Sequence, residues 1–176
     1  MEHKGIDCNY IANKIIIELK QTKDENSLML TCGRLTRLIL LTDIAYMQKH
    51  NKFLVRNAYA WWSRGIVLPK IFYTYNGTAG NALAKDVELI DGVKQQDYEN
   101  SIGASLLKEI NAFVKKVLDM TKYVDTLDLI DFLEVELDEE PDTIIMKDRL
   151  ALLYKNLDFN KLKELNEKEK QEICGV

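Results

Sequence analysis

The sequence has little of what catalytic centres and cross-links are made from. There are only two histidines, His3 and His50. The first belongs to a terminal stretch and the second to a helix end, so no histidine pair can ligate a metal or support a catalytic relay. The three cysteines, Cys8, Cys32 and Cys174, are odd in number and far apart. They match neither zinc spacing nor a CxxC motif, and free thiols are expected. No phosphate-binding GxxxxGK[ST], dinucleotide-binding GxGxxG or nucleophile-elbow GxSxG is present. No apolar run approaches the ~20 residues of a membrane span. The opening MEHKGIDCNY has no hydrophobic segment of the kind a secretory signal needs. These absences argue against an enzyme, a bound metal, a cofactor and a membrane partner, and for a cytoplasmic location.

Two acidic features invite more and deliver less. Asp138-Glu139-Glu140-Asp142 lacks the alternate spacing and the glycine of a calcium loop, and reads as a solvated connection. Asp128 and Asp131 stand three apart, as on the exposed face of a helix. Asn76-Gly77-Thr78 has the form of a glycosylation sequon but reads as a turn.

What the sequence does have is apolar residues at 47% against 30% charged, the balance of a globular chain, in a 176-residue length that suits one domain. The net charge of −4 is unevenly spread. Residues 1–76 carry 11 basic and 6 acidic side chains, leaving 13 basic and 22 acidic for 77–176. Such a split either gives a bipolar surface that steers a charged partner, or means that the two halves neutralise each other inside one fold.

Periodicity predicts a mainly α, compact single-domain bundle of about six helices with at most a minor β element. After a disordered stretch over 1–7, Asp7 caps a first helix whose Ile11, Ile15 and Leu19 share a face with Ala12 and Ile16. A polar break over 21–27 follows. Thr31 caps a second helix running to about His50, with a stripe of Leu35, Leu38, Ile39, Thr42 and Tyr46. Leu40, Leu41 and Ile44 lie off that stripe, and a helix apolar on several sides is packed by several neighbours. Residues 58–62 read as a short strand, Ser63-Arg64-Gly65 as a turn, and 70–75 as a short helix opened by Pro69. Residues 77–100, with Gly77, Gly80 and Gly92, read as a loop with a short strand at 87–90. Further helices are predicted over 105–120, 127–133, 143–154 and 160–173, the last peripheral. The domain proper is 8–135; an acidic connection and C-terminal helices fill 136–176.

With no catalytic constellation, the chemistry left is that of a surface. Arg34 and Arg37 stand one turn apart beside Leu41 and Ile44, a mixture enriched in protein interfaces. Trp61, Trp62 and Arg64 are hot-spot residue types. In an extended segment adjacent side chains face opposite ways, so the two tryptophans cannot fill one core together. The competing reading is nucleic-acid binding. Arg34, Arg37, Lys49, Lys52, Arg56, Arg64 and Lys70 interleave with Tyr46, Tyr59 and the tryptophans, as a phosphate backbone or stacked bases would require. A pI near 5.3 stands against a dedicated binder.

The same residues carry a family resemblance. Leu35-Thr-Arg-Leu-Ile-Leu-Leu, followed by Ala45-Tyr46, resembles the KLQKLLYFAQ helix of the Panacea domain. Trp62-Ser-Arg-Gly65-Ile-Val67-Leu-Pro69-Lys-Ile71-Phe-Tyr73 resembles its WxYGPVVPEVY hallmark without a gap, and Tyr75-Asn76-Gly77 resembles the end of the helix that follows. The resemblance spans about 8–135 and is concentrated in 34–77. Arg64 replaces the family's tyrosine before the glycine, Ile66 replaces the proline after it, and a later Thr-His element is missing. The resemblance implies a mostly helical antitoxin-type domain of phages and mobile elements, which neutralises or sequesters a partner protein by direct contact. The expected contact is Arg34, Arg37, Trp61, Trp62, Arg64 and Tyr73, which lie in the stretch that most resembles the family and in the positive half of the chain; the partner and the oligomeric state are left open.

Overall fold

The two N-terminal helices begin where a short polar side chain meets an apolar stripe. In the computed structural model, which describes residues 5–23, 28–77 and 82–175, Asp7 caps α1 (Cys8–Gln21) by accepting from the Asn9 N–H at 2.8 Å. Thr31 caps α2 (Cys32–His50) by accepting from the Arg34 N–H at 3.2 Å. Both satisfy donors that a first helical turn leaves free. A hairpin follows, β1 (Tyr59–Trp62) and β2 (Gly65–Val67), and then α3 (Pro69–Thr74) with proline in its first turn. Next come α4 (Gln95–Ile102), α5 (Ala104–Thr121) and α6 (Thr126–Phe132). The chain ends with β3 (Thr143–Ile145), α7 (Lys147–Tyr154) and α8 (Phe159–Cys174).

The described residues thus form eight helices and one three-stranded antiparallel sheet, ordered β2-β1-β3. At the hairpin Trp62 lies opposite Gly65, whose φ of +111° is open to glycine and strained for other residues. α2 is the hub. Leu35, Leu38, Ile39, Leu40, Leu41 and Ile44 are all buried, because α1, α5, α6, α3, α7 and β2 pack around them. The two-sided apolar pattern anticipates that position. No described helix is long and apolar enough to cross a membrane. Cys8 and Cys32 are buried free thiols, each pushed up to about 12 by burial, and Cys174 is exposed.

Four expectations need correction. Residues 5–7 are not a loose end: Ile6 is buried and bridges Val55, with the Ile6 N–H donating to the Leu54 carbonyl at 2.7 Å. Residues 87–90 form no strand. The Asn13 side chain takes both main-chain groups of Ile90, accepting from its N–H at 2.7 Å and donating to its carbonyl at 3.2 Å. α4 falls in the expected loop and carries no apolar stripe to reveal it. It is held from outside, by Tyr98 stacked on Tyr10 at 4.9 Å and by Glu99 paired with Lys14 at 3.2 Å. The helix expected over 143–154 begins only at Lys147, because the β-branched Thr143, Ile144 and Ile145 pair with β1 instead. Residues 1–4 with His3, residues 24–27 of the polar break, Thr78 and Gly80 lie outside the described residues.

Candidate partner-binding groove

The hairpin tip stands over α6, and the space between them is a groove of about 880 Å³. Trp61 and Arg64 line it from the hairpin, Leu127 and Ile130 from α6, and Val135 and Leu137 from the segment after α6. A smaller depression of about 310 Å³ lies beyond the tip and shares Arg64, Leu127 and Ile130. Trp62 faces this second space and packs on Phe72 of α3 at 4.6 Å between ring centres. The two tryptophans are both half-buried and line different hollows, as the alternation along a strand requires. Leu127 is 63% exposed at the lip common to both hollows.

The expected site residues divide into three groups. Trp61 and Arg64 line the groove, and Trp62 and Arg64 line the depression beyond the tip. Arg34 and Arg37 are corrected: neither offers a free guanidinium, at 6% and 4% exposure. Arg34 donates to the carbonyls of Val124 at 2.7 Å and Thr121 at 2.9 Å, satisfying acceptors at the C-terminal end of α5 and pinning the α5–α6 turn. Arg37 donates to the Gly33 carbonyl at 3.2 Å and to the Arg64 carbonyl at 2.8 Å. It holds the hairpin tip from behind the larger groove and, though buried, lines the smaller depression beside Trp62. Tyr73, at 82% exposure, lines neither hollow.

A buried carboxylate sets the other end of the hairpin. Asp43 of α2 accepts from the Leu54 and Val55 N–H groups at 2.6 and 3.1 Å and from the Tyr59 hydroxyl at 2.8 Å. Burial pushes its pKa up to about 6, against the opposing pull of Lys147 and these hydrogen bonds. The Lys147 ammonium lies 4.5 Å from the centre of the Tyr59 ring and donates to the Val55 carbonyl at 2.9 Å. Removal from water lowers its own pKa. The knot fixes the chain that enters β1.

No family model, curated protein or solved structure matches the chain. Its electrostatics therefore have to be read from its own residues. Of the seven basic residues proposed for a nucleic-acid face, Arg34 and Arg37 are buried, Lys49 pairs with Glu109, and Arg56 and Lys70 pair with Asp7. Two of these seven cations are thus buried, and three more are partly neutralised at the surface by acids of either half. The groove is the reverse of basic. Among the described residues, Asp131, Glu134, Glu136 and Asp138 line it against Arg64 as the one cation. Partial burial, and then the adjacent carboxylates of Asp125 and Asp131, raise the Asp128 pKa from its ordinary value. Among the described residues no group of carboxylates, cysteines and histidines is arranged to hold a metal ion.

Sequence reasoning missed this acidic, apolar wall because residues 134–142 read as a solvated connection. The signal was present in Leu133-Glu-Val-Glu-Leu-Asp138, an apolar–acidic alternation of the period that marks a half-buried extended chain.

Proposed function

We propose that the chain is a protein-binding module of the antitoxin type, which neutralises or sequesters a partner protein by direct contact. The groove is its docking surface. The observation that supports this most is that Trp61 and Trp62 line two adjoining hollows that share Arg64 and the exposed Leu127. Aromatic and arginine anchors around a desolvated pocket are the usual carriers of binding energy. The Panacea-like residues 62–73 form the hairpin tip and the helix behind it, so the stretch with the family likeness is the stretch that builds one wall. The acidic lining disfavours a phosphate backbone at this face.

The test is co-expression with the product of the adjacent gene, read by pull-down and by relief of any growth arrest that product causes. Wild type should form a stable complex and restore growth. Arg64→Glu combined with Leu127→Arg should lose both while keeping its melting temperature. A complex that survives the double variant places the contact elsewhere. A protein that instead binds DNA or RNA with a steep salt dependence would replace this reading with the nucleic-acid one.

A further inference from the structure

Within the groove, one segment carries more information than its side chains. From Leu133 to Glu140 burial alternates residue by residue: Leu133 is buried, Val135, Leu137 and Glu139 are half-buried, and Glu134, Glu136, Asp138 and Glu140 are exposed. That is the period of an extended strand. Val135 and Leu137 pack on the core, so the segment is held against the body of the protein. Yet among the described residues the main-chain N–H and C=O groups of 135–138 make no hydrogen bond, whereas Glu134 is tied to Asp131 before them and Asp142 to Trp61 after them. The segment is thus a strand-like edge, anchored at both ends and bordering an apolar groove.

Resting on the reading of the groove as a docking surface, we propose that it takes an extended segment of the partner protein, in which apolar residues alternate with lysine or arginine, added as a strand along residues 135–138. An exposed row of main-chain donors and acceptors is a template for another strand, and strand addition draws affinity from main-chain bonds and specificity from alternate side chains. The alternation dictates the occupant. On one face of the added strand, side chains lie across from Glu134, Glu136 and Asp138, where opposite charge is favoured. On the other face they enter the groove between Trp61, Leu127 and Leu137, where apolar groups are favoured. The carboxylates are available for this role: among the described residues, the ion pair made by this stretch is that of Glu139 with Arg149. An acidic segment or a nucleic acid would meet like charge along the whole edge.

The experiment uses the full chain and a ten-residue peptide alternating lysine with valine, followed by amide hydrogen exchange and by affinity titration. Exchange should slow at alternate amides of 135–138 when the peptide binds. Methylating the peptide nitrogens in one alternate phase should abolish binding, and methylating them in the other phase should not. The same peptide with glutamate in place of lysine should bind at least about tenfold more weakly, as should the lysine peptide toward Glu134→Gln with Glu136→Gln and Asp138→Asn, the loss expected from three cross-strand charge pairs. Neutralising the exposed Glu164, Glu167 and Glu172 of α8 removes equal charge elsewhere and should leave affinity unchanged.

Binding without altered exchange at 135–138, equal loss in the α8 control, or equal affinity for the glutamate peptide would overturn strand addition. So would a concentration-dependent dimer in which those amides are already protected, since the edge would then take a second copy. The two readings fail separately. A native complex lost with Leu127→Arg but untouched by the triple neutralisation keeps the docking surface and removes the basic strand. Absence of any complex with the adjacent product removes the antitoxin reading whatever the peptide does.

Discussion

Asp43→Ala asks how firmly the fold holds the wall that carries both tryptophans. Asp43 is fully buried and takes three donors, the N–H groups of Leu54 and Val55 and the hydroxyl of Tyr59. Alanine leaves all three without an acceptor, at ~1–3 kcal/mol for each buried group. Water entering the space left behind would offset part of that. The expected loss is therefore about 3–5 kcal/mol, the range for breaking a buried charged contact. Asp43→Asn keeps one oxygen for the two main-chain donors and should cost roughly 1–2 kcal/mol. Tyr59→Phe removes a single bond to a charged acceptor and should cost about 1.5–3 kcal/mol.

The same group gives a pH signature. Burial raises its pKa from 3.8 to about 6 in the folded protein, so between those values the native state holds the proton more tightly than the unfolded chain. Stability from this group is therefore fullest below 3.8 and is lost as pH rises through 6. The advantage of wild type over Asp43→Asn should shrink across that window. Urea unfolding followed by circular dichroism, repeated from pH 4 to pH 7, measures both effects. An alanine loss below about 1 kcal/mol would refute the argument, since surface changes cost no more than that.

Other consequences are more local. Leu38→Ala and Ile39→Ala open cavities in the hub helix and should each cost ~2–5 kcal/mol in the same unfolding assay. Losses under about 1 kcal/mol at both would make α2 peripheral. Arg34→Ala should cost about 2–4 kcal/mol by stripping donors from two buried carbonyls, while Arg64→Ala at the exposed tip should stay within roughly 0.5 kcal/mol. Equal effects at the two arginines would contradict their assigned roles. Asp7, held below its usual pKa by Lys70, the Asn9 N–H and Arg56 in spite of its own burial, contributes stability that is present above pH 3.8 and lost as pH falls. The destabilisation by Asp7→Ala should accordingly be larger at pH 7 than at pH 3.

The amino-acid sequence by itself determined the elements whose evidence is local. Asp7 and Thr31 mark helix starts because a cap acts within one turn of its own residue. Pro69 opens α3 for the same kind of reason, and Leu35 to Tyr46 announce a central helix because a stripe wider than one face leaves no side for water. Asn13 binding Ile90, Tyr98 stacking on Tyr10 and β1 pairing with Thr143–Ile145 join residues tens of positions apart, and no window along the chain contains both partners. The working face divides in the same way. Trp61, Trp62 and Arg64 could be named from residue type, but whether an arginine faces solvent or a helix's carbonyls depends on what packs over it. Arg34 and Arg37 lie under α5, α6 and the hairpin tip, so tertiary structure turned two expected contacts into supports. It also placed Glu134 to Asp138, an apparently solvated run, along an apolar groove. A charge run acquires a face only when its alternate residues have a core to enter.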